Sequence, residues 1–268
     1  METETNSVTQ SATAARAPAP YLKVSPVNLV TDWDELAHTY WESWKKPQTA
    51  WSEISCPFIG SNTAEEAHAW AEFKKRVLAQ IRNDPNTHIF KCTDTRSGRI
   101  VGGAMWKVHH TNPHRAPFPK EEAEAFPKGS EMRELAESAW SELSKWRQRL
   151  MQDAHISGEE IWALPEDRSQ GAGNLIIDEF LRVIDEHQLE AIAETTHLNR
   201  RNMEKRGFVA IAYTDVKCPR ANPSEKLKRL VQNMQENPLC IIWRPAGGGY
   251  VEGKTILPWE GQPRRARL

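Results

Sequence analysis

The sequence has almost no net charge, no long apolar run and no clustered cysteines. Thirty-five Lys and Arg face 36 Asp and Glu, a net charge of -1. That removes the electrostatic basis for a nucleic-acid partner, which needs a basic surface or patch. The hydrophobic share is 39%, and no apolar stretch approaches the roughly 20 residues needed to span a bilayer. A soluble protein with no membrane partner is therefore expected. Cys56, Cys92, Cys218 and Cys240 stand 36, 126 and 22 residues apart, with no C-x-x-C or other metal-ligand spacing. Free thiols in a reducing, cytoplasmic setting are the expectation. The N-terminus lacks an apolar signal core, and Glu2 and Glu4 do not suit an acid-poor presequence. Within residues 161–176, the one glycine-containing strand–loop–helix unit, two phosphate-binding signatures are missing: there is no G-x-x-x-x-G-K-S/T, and no G-x-G-x-x-G, because Ile176 stands at the third glycine position.

What the sequence does have is tryptophan. Eleven Trp accompany seven Phe and four Tyr. Each offers a large contact area and one N–H that needs a partner when buried, so they serve a core, an aromatic pocket, or both. Residues 1–20 are rich in Thr, Ser, Ala and Pro and read as a disordered tail. Residues 246–268, with three consecutive glycines, read as a second tail, in which Ile256 to Trp259 could dock on the body. Between them the hydrophobic period alternates between strand and helix, an α/β (α+β) pattern in one domain over 21–245. Strands are expected at 21–30, 88–93, 100–109, 159–164, 191–195, 208–216 and 239–244. Helices are expected from about 33, at 63–83, 130–153, 174–187, 198–206 and 222–236. Thr31 with Asp34, and Thr63 with Glu66, read as capping boxes.

One unit carries chemistry. Ile161 to Leu164 is a strand, Pro165 to Gly173 a glycine-containing loop, and a helix follows. Such a loop presents free backbone N–H groups at the positive end of a helix, which suits a pyrophosphate. The pattern within it is R-x-x-G-x-G, from Arg168 to Gly173.

With its context, this pattern resembles the GNAT superfamily of acyl-CoA-dependent N-acetyltransferases. Trp162-Ala163-Leu164-Pro165 matches the end of their fourth strand. Arg168 to Gly173 matches Q/R-x-x-G-x-G/A, and Met203 to Phe208 matches a Tyr-Glu-Lys-x-Gly-Phe run. Gly102 to Trp106 resembles the preceding strand, and Pro238 to Pro245 the closing strand. The helical insertion at about 110–155 resembles that of fungal small-molecule members, some of them enzymes of secondary metabolism. The resemblance implies a GNAT fold: a mixed, mostly antiparallel central sheet, splayed in the middle, with helices on both faces. It implies acetyl-CoA as co-substrate, no metal, and a small-molecule amine as acceptor, in a monomer or homodimer.

The implied cofactor contacts are Trp162, Ala163 and Leu164 for pantetheine, and Arg168, Ser169, Gln170, Gly171, Ala172 and Gly173 for the diphosphate. Thr196 and Asn199 would lie beside the CoA arm. Arg200 and Arg201 face either the 3′-phosphate or solvent. Direct attack needs a neutral amine and hence a base. The serotonin-type position falls on Glu159, with Glu160 in reserve. On a regular strand Ser157, Glu159 and Ile161 share one face, and Glu160 and Trp162 the other. The family's tyrosine acid is Met203 here. Tyr213, His197 or water would replace it, or the thiolate leaves unprotonated. Alternatively, the chain binds CoA without catalysis or performs other chemistry. His109, His110 and His114 read as a metal cluster or, with more support, as a loop shaping the cleft. Trp106, Trp140 and Trp146 line an acceptor pocket or pack in the core. The aromatic content suggests an aromatic or apolar amine.

Overall fold

The computed structural model describes residues 19–114 and 122–258. The expectations for the two tails and for Trp259 therefore lie largely outside the described residues. Seven strands form one sheet in the order β1-β2-β3-β4-β5-β7-β6. They are β1 Leu22–Pro26, β2 Thr87–Asp94, β3 Ile100–His109, β4 His155–Ala163, β5 Glu190–Thr196, β6 Val209–Tyr213 and β7 Leu239–Arg244. Every neighbouring pair is antiparallel except β4 and β5.

The helices are α1 Trp33–Lys45, α2 Ala50–Ser55, α3 Ala64–Asn83, α4 Glu131–Leu150, α5 Ala172–His187, α6 His197–Glu204 and α7 Glu225–Glu236. Helix α5 buries Ile176, Phe180 and Ile184 against Val101, Trp106, Val108 and Ile156 on one face of the sheet. Met203 and Phe208, at the end of α6, join the same core. The other face carries α1, whose Trp33, Leu36 and Ala37 pack with Ile100 and Trp162. Beside it α4 covers Ile192, Ile241 and Trp243, and α2, α4 and α7 enclose a second core.

Local chemistry explains most of the boundaries. Thr63 caps α3 by accepting the N–H of Glu66, but the Glu66 carboxylate turns to the N–H groups of Gly60 and Asn62. Asp32, not Thr31, precedes α1, and its side chain takes the N–H of Asn28 and the ammonium of Lys91. The box expected from Thr31 and Asp34 is thus absent. Helix α2 was not expected. It is six residues long and held by a Thr49–Ser52 box too short to leave a hydrophobic period. Glycines on β3 permit close layers: a Cβ on Gly103 would stand 2.5 Å from the Trp162 ring and 2.8 Å from Leu36. Trp106 is 1% exposed and stacks on Phe90 on the α5 face. It is core, and so is Trp243.

Candidate active site

Strands β4 and β5 pair only over His155–Ser157 against Glu190–Ile192. Beyond that, β4 continues to Ala163 beside β3, and β5 continues to Thr196 beside β7. The two strands part, leaving one edge of β4 without a neighbouring strand. An unpaired backbone edge inside a sheet is a ready template for an extended amide-bearing ligand.

A bulge sits where the strands separate. Met105 pairs with Glu160 and Trp106 with Gly158, so Glu159 has no partner on β3. The extra residue resets the alternation. Ser157 and Glu159 face α4, and Glu160 and Trp162 then continue on that same side toward α1. The side-chain partners agree. Glu159 accepts Arg147 at 2.7 Å and the Ser157 hydroxyl at 2.6 Å. Glu160 accepts the Tyr40 hydroxyl at 3.2 Å. Trp162 donates its indole N–H to Thr39 at 2.9 Å. The expectation that Glu159 and Glu160 face opposite ways is corrected by this one inserted residue. Ile161 turns away and stays 40% exposed.

The electrostatics separate the two carboxyls. Burial opposes charge on Glu159, but Arg147 and Ser157 outweigh it and hold its pKa below the ordinary range. Glu160 is pushed up to about 8. Burial is the main cause, opposed by the Tyr40 hydrogen bond and reinforced by the charges of Glu159 and Glu194. Tyr40 is itself driven well above its ordinary value, by burial and then by Glu160. Its ring stacks on Phe73 at 5.1 Å and meets Trp162 edge-on at 5.0 Å. The carboxyl with the higher pKa thus lies under an aromatic wall from α1 and α3.

The loop after β4 bends through Ser169 (φ 67°) and Gly171 (φ 95°) into α5. Among the described residues, no acceptor meets the backbone N–H groups of residues 169–174. A Cβ on Gly173 would meet nothing within 4 Å. These free donors at a helix N-terminus suit a phosphate.

No protein-family model and no curated protein matches the sequence. Solved structures do match. The histone acetyltransferase HPA2 and related acetyltransferase from Corynebacterium glutamicum is 18% identical, with a TM-score of 0.50, over 86% of this chain and 99% of that one. The C-terminal condensation domain of Ebony in complex with beta-alanyl-dopamine gives 11% identity, a TM-score of 0.54, and 83% and 98% coverage. A putative arylalkylamine N-acetyltransferase 7 from the yellow fever mosquito gives 13% and 0.54 over 83% of this chain and 86% of that chain. The fold is the GNAT fold.

On this GNAT fold the remaining expected residues are placed unevenly. Arg168 does not reach into the loop. Its guanidinium binds the Ser43 carbonyl at 2.6 Å, the Lys46 carbonyl, and the Ala163 carbonyl at 3.2 Å, tying β4 to the C-terminal end of α1. The side chain of Gln170 is held by Tyr21 and by Glu166 and Asp167. Leu164 spends its N–H on Val101 and its carbonyl on Asp167. The backbone groups of residues 169–173 remain, together with the exposed Ser169, while the Ala172 side chain is buried in the core.

Thr196 precedes α6, and Asn199 donates to Thr195 at 3.2 Å. Asn202 links Asn199 to Asn174 in the first turn of α5, so these polar groups join the two lips of the opening. Tyr213 does not join them. It lies on edge strand β6, separated from β4 by β5 and β7, and its hydroxyl accepts from Arg200. Arg200 also pairs with Glu204. Met203 is 3% exposed in the core. His197 is exposed.

The His109 and His155 rings meet at 4.7 Å, tilted by 35°, and His114 stacks on His155 at 6.0 Å. Among the described residues no group of His, Cys, Asp and Glu has the geometry of a metal site. Burial holds His155 down at about 3, as befits a neutral core imidazole. Trp140 packs with α2 and α7, and Trp146 with β5 and β7. Sequence reasoning missed Tyr40, Arg147 and Glu194. Their only sequence signal was membership of helical or strand periods, because the contacts are made across elements.

Proposed function

We propose that this protein transfers an acyl group from an acyl-CoA, acetyl-CoA in the first instance, to the amine of a small molecule, with Glu160 as general base. The observation that carries the reading is the raised Glu160 carboxyl at the mouth of the splayed strands. A base with a pKa near the working pH is the efficient one. Glu159, tied to Arg147 and Ser157, is too well stabilised as an anion to compete for a proton.

The unpaired edge of β4 at Trp162 and Ala163 would receive the pantetheine amides. The free N–H groups of Ser169, Gln170, Gly171, Ala172 and Gly173 would receive the diphosphate, with Thr196 and Asn199 across the opening. The thioester supplies the acyl carbon. The amine enters from the α1 side, where Tyr40, Trp162 and Phe73 offer an aromatic wall. Its nitrogen bonds to that carbon as Glu160 takes its proton and the sulfur departs. Met203 and Tyr213 do not serve as the acid. Tyr40, protonated because its pKa is raised, donates its hydroxyl to the Glu160 carboxylate and holds it in place before it takes the proton. An aromatic amine in a cytoplasmic setting is the preferred acceptor class. The bound beta-alanyl-dopamine of the Ebony domain, on the same fold, is compatible with that class.

The test has two stages. Acetyl-CoA should raise the melting temperature, and the protein should release free thiol from acetyl-CoA with at least one member of an arylalkylamine panel. Stabilisation without thiol release across the panel would replace this reading with a non-catalytic CoA-binding protein.

A further inference from the structure

Arg147 belongs to α4, a helix outside the loop and strands that the motifs single out, yet it reaches the point where β4 and β5 part. Its Nε and one terminal nitrogen bind both oxygens of Glu194 on β5, at 3.0 and 2.5 Å. The other terminal nitrogen binds Glu159 on β4 at 2.7 Å. A fourth contact, 3.1 Å, goes to the Gly158 carbonyl at the bulge. Each strand is thus held just past its last shared rung by one planar guanidinium. A lysine could not make both contacts at once.

Three carboxylates meet here, and Arg147 pairs with two of them, Glu159 and Glu194. Tyr40 from α1 bonds Glu160, and Cys56, after α2, faces it with a thiol that burial and Glu160 push up. Lys107 and His109 on β3 face Glu159. The charged groups that bear most on Glu160 are Glu159, Glu194 and Arg147.

We propose that Arg147 is a positioning residue which fixes the width of the opening between β4 and β5 and, by neutralising Glu159 and Glu194, leaves Glu160 to accept the proton. This rests on Glu160 being the base. The division follows from charge balance. Two carboxylates share one arginine and stay ionised, and the third, with only a phenol as partner, carries the penalty of burial. The insertion helix is then part of the active-site machinery through one side chain.

Carboxyl NMR titration of the full chain with 13C-labelled glutamate tests this without any acceptor. The wild type should show one glutamate titrating near pH 8, lost in Glu160→Gln. In Arg147→Gln that step should move up by about one pH unit or more, and a second carboxyl should begin to titrate above its ordinary range. Arg147→Lys should keep the charge effect while loosening the geometry, so the step stays and kcat falls more than KM changes. Glu194→Gln, which removes a carboxylate and not the clamp, should move the step downward and guards against a misfolded Arg147→Gln. A step unmoved in both Arg147→Gln and Glu194→Gln overturns the role of Arg147 while Glu160 stands. A step that persists in Glu160→Gln overturns the choice of base itself.

Discussion

Glu159 and Glu160 are adjacent on β4 yet face the same side of the sheet, because Glu159 is the unpaired residue of a bulge between Met105 and Trp106 on the neighbouring strand. One is locked to an arginine and the other to a tyrosine. Two consecutive carboxyls thereby acquire opposite acidities in one cleft, which is how a fold separates a structural anion from a proton acceptor.

Glu160→Gln should lower kcat/KM by about 100-fold or more, the usual loss of a general base. In the wild type kcat/KM should rise with pH through about 8, where Glu160 ionises. Glu159→Gln should keep a rise with pH but move it downward, because the Glu159 charge raises the Glu160 pKa, and lose activity through Arg147. A pH–rate series on both variants measures this, and an unaltered rise in Glu160→Gln would reject the base.

The same group makes stability depend on pH. Its folded pKa, about 8, lies above the ordinary 4.5. The native state therefore holds a proton that the unfolded chain releases, so the contribution is full below 4.5 and is lost as pH rises through 8. Glu160→Gln should melt like wild type near pH 5 and a few degrees higher at pH 9. Parallel melting curves at the two pH values decide the point.

Gly173→Glu separates binding from folding. The position has open space and helical backbone, so the melting temperature should hold. The new carboxylate beside the free N–H groups should weaken CoA by about tenfold or more, roughly 1.4 kcal/mol. Calorimetric titration with CoA reads the difference, and unchanged affinity would remove the diphosphate from this loop. Gly171 is the poorer probe, because its φ of 95° strains any side chain.

Tyr40→Phe should raise the Glu160 pKa further, since the Tyr40 hydrogen bond lowers it. The rise of kcat/KM with pH should shift upward, and stability should fall by about 1 kcal/mol for the lost hydrogen bond. A profile identical to wild type would show that Tyr40 packs without bearing on the base.

The order of strands and helices was legible because periods of 2.0 and about 3.6 are written residue by residue. So was the turn from β4 into α5, where glycines and a helix start are local features. The resemblance carried by Arg168 to Gly173 pointed to the right fold, although the Arg168 side chain proved to serve the end of α1. The alternation on β4 was misjudged, because a bulge depends on the register of two strands and leaves no mark on either sequence alone. Trp106 and Trp162 show the same limit. Both are strand tryptophans, and only the packing of α5 and α1 assigns the first to the core and the second to the wall of the cleft.

The sequence by itself determined a near-neutral α/β chain with a phosphate-ready loop, because charge balance, periodicity and turn chemistry act over a few residues. Tertiary structure decided how two adjacent carboxyls come to differ in acidity. The ionisation of Glu160 is set by Tyr40, Arg147 and Glu194, residues brought from α1, α4 and β5. Electrostatic energy in a buried site depends on distances across the fold and not on spacing along the chain.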